Sequence, residues 1–137
     1  MSPRHRMSLD TNVLVSAVLF GGVPGEIVEA ARSGEVAGVV SLHILGEFVD
    51  VVTRPRFGFD EDVALALAEE IASFCEVIPV ESSAGSWVSD PADNPVVEAA
   101  LIGGVTHIVT GDSRLLQVEL EGISILPPAD ALTLLRK

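Results

Sequence analysis

Acidic side chains follow several apolar runs of this chain, at the points where buried strands would end. Asp10 closes the run RMSLD, Asp112 closes THIVTGD, and Asp90 and Asp93 lie in the polar loop after a third run. Carboxylates gathered in one place raise one another's pKa unless a cation is bound among them. Mg²⁺ or Mn²⁺ takes oxygen ligands and can activate water and offset charge on a phosphodiester. The residue types therefore indicate a candidate metal site for phosphate chemistry.

The elements that must position these acids alternate between strand and helix along the whole chain. The strands are predicted at RMSLDT, EVAGVVS, CEVIPV, THIVTGD and ISILP, and each is a continuous apolar run, which is typical of a parallel sheet covered on both faces. We expect a single domain over residues 1–137, a three-layer α/β/α sandwich with a central, mainly parallel sheet. Sites in such sheets form at the carboxyl ends of the strands, where these acids lie.

The start of the first two helices depends on local capping and turn residues. Thr11 or Asn12 is expected to cap the helix VLVSAVLF. GGVPG is predicted to be a turn, followed by the short helix EIVEAARSG, which Gly34 ends.

Glu47 reaches the same edge through a helical pattern. The helix predicted over residues 42–54 carries an apolar stripe that includes Leu45, Phe48 and Val52, with Glu47 near the boundary of its polar face. This helix follows the second strand, so its first turns lie near the carboxyl ends of the strands. Glu47 could therefore face the crevice that Asp10 faces.

Each acid also has an ordinary structural interpretation. Asp10, Asp93 and Asp112 occupy positions where helix N-caps are common, and DPAD is good turn chemistry for Asp90. A glutamate on a polar helix face is usually only solvated. His43 has no second histidine at metal-ligand spacing and is not counted as a ligand.

Composition restricts the partners and the compartment. Asp and Glu number 20 against 8 Lys and Arg, and a net charge of −12 repels nucleic acid at long range but suits a cation or a basic partner protein. Cys75 is the only cysteine, which excludes an internal disulfide or a cysteine metal cluster. We find no signal peptide and no apolar run long enough to span a membrane, and we expect a cytoplasmic protein without membrane association.

Other phosphate chemistries fit the sequence less well. An aspartyl-nucleophile phosphatase needs a second acid two residues after Asp10, where Asn12 stands. A receiver domain needs a lysine after a late strand, and Lys137 at the end of the chain is the only lysine. GGVPGE lacks the Gly-Lys-Ser/Thr of a P-loop.

Four blocks of the chain together resemble PIN-domain proteins. The resemblance is greatest to the branch described as the toxin component of toxin–antitoxin pairs, which is related to VapC-like ribonucleases. The blocks follow in the family's order and cover nearly the whole chain: LDTNVLVSA, ILGEFVDVVTRPRF, DPADNPVVEAALIGGVTHIVTGDSRLL and ISILPPADAL.

The resemblance implies an acidic quartet that binds one or two Mg²⁺ or Mn²⁺ ions and hydrolyses RNA. The residues that match the family pattern are Asp10 of DTN, Glu47 of GEFVDVV, Asp93 of DPADN and Asp112 of TGD.

Three further residues match supporting positions of the family. Asn12 is a nearby polar support for Asp10, Thr110 is the hydroxyl residue that accompanies the last acid, and Asp90 matches a further acid of this branch.

The resemblance also implies partners: an RNA substrate, a cognate antitoxin protein and a second copy of the chain in a homodimer. Few cations are available to hold RNA, and Arg54, Arg56 and Arg114 are the candidates, although arginines of TRPRF could instead cover apolar surface and pair with acids. The alternative function is a non-catalytic acidic α/β module that engages a basic partner protein. Metal-dependent activity distinguishes the two.

Overall fold

A five-stranded sheet forms the centre of the molecule. The structure, a computed structural model, describes residues 5–81 and 94–137. The strands are β1 (Arg6–Leu9), β2 (Ala37–Ser41), β3 (Glu76–Ile78), β4 (His107–Val109) and β5 (Ser124–Leu126).

Helices connect the strands. They are α1 (Thr11–Phe20), α2 (Gly22–Ser33), α3 (Leu42–Val52), α4 (Glu61–Phe74), α5 (Pro95–Gly103), α6 (Ser113–Leu116) and α7 (Pro128–Leu135). The predicted alternation of strand and helix is confirmed.

The strands lie in the order β3-β2-β1-β4-β5, and all four neighbouring pairs are parallel. From β1 the chain moves to β2 and β3 on one side, and it later returns to place β4 and β5 on the other. The strand order therefore reverses between β1 and β4, and a crevice opens there at the carboxyl ends of the strands. The residues that follow β1 and β4 are the ones that border it.

The two faces of the sheet are covered by different helices. A Cβ added at Gly38 of β2 would lie 3.0 Å from Ala31 of α2, and one added at Gly103 of α5 would lie 3.1 Å from Val39. Successive residues of a strand point to opposite faces, so α2 and α5 lie on opposite sides of β2. The predicted three-layer α/β/α architecture is therefore confirmed.

The buried face of α3 differs slightly from its predicted stripe. Ile44, Phe48 and Val52, spaced four residues apart, are at most 2% exposed, whereas Leu45 is only partly buried. The helix is anchored in the core by these three side chains. Glu47, one position before Phe48, is left at the edge of the buried face.

The predicted turn GGVPG is wrong, because α2 already begins at Gly22. Gly21 has φ of 69°, which glycine adopts readily, and its N–H donates to the Ala17 carbonyl at the end of α1. Pro24 stands in the first turn of α2, where a missing N–H costs no helical hydrogen bond. Gly22 also has a positive φ, of 57°, so two consecutive glycines make the turn.

No single helix within the two described ranges is long and apolar enough to cross a bilayer. The pair α1 and α2 meets that criterion together by length and composition, with a bend of 106° between the two helices.

Candidate active site

Asp10 links the first strand to the first helix. It is 7% exposed, directly follows β1, and is the N-cap of α1. Its Oδ1 accepts a hydrogen bond of 2.7 Å from the Thr11 N–H. Of the caps that the sequence offered for α1, Asp10 is therefore the one that the structure shows, and Thr11 and Asn12 are wrong, because the strand passes into the helix with only one residue between them.

The second carboxylate oxygen of Asp10 is held by side chains from two elements. Thr110, fully buried after β4, donates from Oγ1 to Asp10 Oδ2 over 2.7 Å, and Asn12 Nδ2 donates to the same oxygen over 3.1 Å. Asn12 Oδ1 in turn accepts from the Gly111 N–H at 2.8 Å. These bonds tie the ends of β1 and β4 together and fix the orientation of the Asp10 carboxylate.

Glu47 approaches Asp10 from α3. The Thr11 hydroxyl donates to Glu47 Oε1, so the residue beside Asp10 positions this second carboxylate. Its other oxygen, Oε2, lies 3.9 Å from His43 Nε2, one turn earlier on the helix. The side chain of Glu47 is 31% exposed and therefore accessible from solvent.

Asp112 begins α6 as its N-cap, as predicted for a capping role. Its Oδ1 accepts from the Arg114 N–H at 2.9 Å, and its own N–H donates to Thr110 Oγ1 at 3.0 Å. Thr110 thus contacts both aspartates. Asp112 can therefore cap α6 and face the crevice at the same time.

Asp10, Asn12, Glu47 and Asp112 line one open cavity of about 400 Å³. Phe20, Arg56 and Phe57 also line it. We call this cavity the acidic cleft. Four of the predicted site residues therefore face one space, and Thr110 supports it from beneath.

Asp90 and Asp93, the other two predicted site residues, lie outside the residues that the structure describes. The neighbour of Asp93, Asn94, is described and is 2% exposed. Asn94 is the N-cap of α5 and accepts from the Val96 N–H at 2.9 Å, so the capping role predicted for Asp93 belongs to the next residue.

The electrostatics of the acidic cleft disfavour three ionised carboxylates without a counterion. Burial raises the pKa of Asp10 above its usual range, hydrogen bonds from Thr110 and Thr11 oppose this, and the charges of Glu47 and Asp112 raise it further. Among the described residues, Asp10 and Asp112 form no salt bridge. The arrangement is therefore suited to a bound cation.

The donor atoms fit a hard divalent ion that keeps part of its water shell. The cleft offers carboxylate, hydroxyl and amide oxygens, which Mg²⁺ and Mn²⁺ prefer. No three His, Cys, Asp or Glu side chains in the described ranges are arranged to hold an ion among themselves. Mg²⁺ is commonly held by one or two carboxylates, with waters completing its octahedron. Asp10, Glu47 and Asp112 fit that mode of binding, directly or through water.

Sequence reasoning overlooked Thr11 as a site residue. It was considered only as a helix cap, yet its side chain is 6% exposed and connects Asp10 to Glu47 across two helices. The usable signal was its position between Asp10 and Asn12 in DTN.

Comparisons with known proteins place the chain in a family. The family model described as PIN domain matches residues 6–114. A solved structure with a similar fold is VapBC2 from Rickettsia felis bound to a DNA fragment from their promoter. The TM-score is 0.60 at 13% identity, with 88% of this chain and 96% of the matched chain covered. No curated protein sequence matches the chain.

Proposed function

This chain belongs to the PIN-domain family, and from that premise we propose that it is a metal-dependent ribonuclease, the toxin of a toxin–antitoxin pair. The observation that carries the proposal is the convergence of Asp10, Glu47 and Asp112 on one cleft where the strand order reverses. Hydrolysis of a phosphodiester needs a site that lowers the cost of negative charge on the phosphate. Carboxylates provide such a site only when they hold a cation.

The proposed roles follow from the contacts of each side chain. A bound Mg²⁺ or Mn²⁺ supplies a Lewis acid for the phosphate and lowers the pKa of water. Asp10 holds the ion, and Thr110 and Asn12 keep its carboxylate oriented. Glu47, accessible and fixed by Thr11, is placed to accept the proton of the attacking water. Asp112 and Asp93 complete the quartet, with Asp90 as a further support.

We extend the proposal to a cognate antitoxin and to the cytoplasm as the site of action. A ribonuclease inside a cell must be restrained, and a partner with a basic or apolar segment complements the charge and walls of the acidic cleft. The structural neighbour from Rickettsia felis is a VapBC2 complex, which supports a two-protein system for this chain as well.

We also propose a homodimer, because the chain has few cations with which to hold RNA. Arg6, Arg32, Arg54 and Arg136 each pair with a glutamate or aspartate of the same chain. In a dimer, two subunits would double the number of cations that surround one groove. Light scattering coupled to size-exclusion chromatography measures the oligomeric state directly.

The test is cleavage of a panel of labelled RNAs by purified protein with Mn²⁺ or Mg²⁺, beside EDTA and Asp10→Asn. Cleavage that disappears in both controls supports the proposal. No cleavage by folded, antitoxin-free protein would contradict it and favour the non-catalytic module that binds a basic partner.

Metal binding has a readout that does not depend on activity. Mn²⁺ should raise the melting temperature of the wild-type protein, because a ligand that binds only the folded state stabilises it. The increase should be lost in Asp10→Asn. An equal increase in both proteins would show that the ion binds elsewhere.

A further inference from the structure

Among the described residues that line the acidic cleft, Arg56 is the one cation. It follows α3, and its guanidinium lies 4.5 Å from the centroid of the Phe57 ring. Within the described part of the chain it forms no salt bridge, even though three carboxylates line the same cavity. Arg54, two residues earlier, is instead paired with Asp50 at 2.9 Å. Only one of these two neighbouring arginines is therefore available to an anion.

Phe20 lines the same cleft and is 80% exposed. An aromatic side chain with so much surface in water gains little from folding, because burial is the source of its stabilising effect. It stands at the end of α1, whose first residue follows Asp10. The cleft thus combines three carboxylates with a cation and an exposed aromatic ring.

We infer that Arg56 and Phe20 form a nucleotide subsite of the cleft for single-stranded RNA, in which Arg56 contacts a backbone phosphate and Phe20 stacks on an unpaired base. The inference rests on the proposed function and deepens it. A planar guanidinium held against an aromatic ring matches phosphate geometry. Base stacking on an exposed aromatic ring requires a base that is free of a duplex, which makes the subsite selective for single strands.

The charges of the cleft favour RNA over a basic peptide as the ligand of this subsite. A basic peptide would be attracted by Asp10, Glu47 and Asp112 but repelled by Arg56. A phosphodiester is attracted by Arg56, and a cation held by the carboxylates removes its repulsion from them. RNA bound together with a divalent ion therefore interacts favourably with Arg56 and, through the ion, with the carboxylates.

The first experiment measures binding of a fluorescein-labelled single-stranded 12-mer RNA by anisotropy over a range of KCl concentrations, with Mg²⁺ present. All proteins carry Glu47→Gln, which slows cleavage so that the RNA stays intact and keeps Asp10 to hold the ion. Arg56→Ala should weaken binding and reduce the slope of log K against log salt by about 0.7, the value for one phosphate contact on a single strand. Arg56→Lys should restore that slope. Arg54→Ala removes the same charge from a paired neighbour and should leave it unchanged.

The second arm tests stacking. Phe20→Leu should lower affinity for the single strand by about tenfold, the loss expected for one base–aromatic stack, without changing the salt slope. Ile102→Ala is the control, because Ile102 is 60% exposed on α5 and does not line the cleft. A duplex of the same sequence should bind equally to Phe20→Leu and to the parent protein.

Kinetics in the otherwise wild-type protein separate this inference from the proposed function. Arg56→Ala should raise KM about tenfold and change kcat little, as expected when an interaction is the same in substrate and transition state. The wild-type protein could cleave RNA while Arg56→Ala and Phe20→Leu keep its KM and Arg56→Ala keeps the salt slope of the parent. In that case the subsite is wrong and the proposed function stands. Arg56 and Phe20 would then be assigned to the binding of a protein partner. If the wild type neither binds nor cleaves RNA, both proposals fall.

Discussion

The amino and carboxyl edges of the parallel sheet differ in how they satisfy charge. At the amino edge, Arg6 donates to the Gly103 carbonyl over 2.6 Å and pairs with Glu76 of β3 at 2.9 Å. Thr106 hydrogen-bonds to both the N–H and the carbonyl of Arg6. At the carboxyl edge, Asp10 receives only neutral donors from the described residues, and two further carboxylates lie close enough to raise its pKa.

The difference separates structural polar groups from functional ones. An amino-edge carboxylate has its cation within the chain, so its charge is used to hold strands and helices together. The acids at the carboxyl edge are also held in place by hydrogen bonds. Among the described residues, however, Asp10 and Asp112 have no cationic partner. A cation-binding site requires carboxylates that are held in place but not neutralised by the protein, because the cation supplies the opposite charge.

The largest contrast should come from equal substitutions at the two edges. Glu47→Gln should lower kcat for RNA cleavage by more than about a hundredfold, since even groups that only orient metal ligands account for 10–100-fold. Glu76→Gln removes the same charge from an exposed ion pair and should leave kcat unchanged. Steady-state cleavage of one labelled RNA measures both. Similar losses in the two variants would show that net charge, and not the position of Glu47, controls activity.

A second contrast uses two buried or half-buried threonines. Thr110→Val deletes the hydroxyl that orients Asp10 and should weaken Mn²⁺ affinity by about 10- to 100-fold, the usual cost of losing such support. Thr106→Val deletes hydrogen bonds to Arg6 and should cost roughly 1 kcal/mol of unfolding free energy without affecting Mn²⁺. Calorimetric titration and urea unfolding give the two quantities. Unchanged Mn²⁺ affinity in Thr110→Val would remove Thr110 from the site.

The third contrast depends on pH. Burial raises the pKa of Asp10 from 3.8, so protons compete with metal at a higher pH than for an exposed aspartate. Below that raised pKa, Mn²⁺ affinity should fall by about tenfold per pH unit for each proton displaced. Without metal the sign reverses: ionisation of Asp10 lowers the free energy of unfolding as pH rises from 3.8 through the raised pKa. Mn²⁺ affinity that stayed constant down to pH 4 would contradict the burial of this carboxylate.

The smallest effect concerns His107 at the amino edge. Burial lowers its pKa from 6.5, and the nearby His5 adds to this. The unfolded chain therefore binds a proton more readily, so the contribution of His107 to stability is present above pH 6.5 and is lost as pH falls through the lowered pKa. His107→Gln should flatten that decline slightly in urea unfolding between pH 7.5 and 5. An unchanged decline would assign it to other groups, and Mn²⁺ binding should be the same in both proteins.

The caps show how far local pattern predicts structure. Gly34 ends α2 in the left-handed conformation, as the sequence predicts, because only the residues next to it matter there. For the cap of α1 the sequence offered Asp10, Thr11 and Asn12 without deciding among them, and the structure shows Asp10. That choice depends on where β1 ends, and β1 ends where its ladder with β4 ends, which is a long-range contact.

The arginines of TRPRF show the same division. Sequence alone left open whether they bind substrate or pair with acids, and the structure shows that Arg54 pairs with an acid whereas Arg56 lines the cleft. Arg54 reaches Asp50 because the two residues are one helical turn apart, whereas Arg56 lies beyond the end of α3 and turns toward the cleft. A local spacing rule covers the first case. The second depends on how α3 packs against α1.

The amino-acid sequence by itself determined the alternation of strand and helix, the parallel sheet and the presence of an acid after β1 and after β4. Those features follow from short-range periodicity and from the apolar runs of the strands. Only the tertiary structure decided that β1 and β4 are neighbours, that Thr11 joins Asp10 to Glu47, and that Arg56 faces the cleft. Strand order and side-chain direction depend on contacts between residues far apart in the chain, which local patterns do not specify.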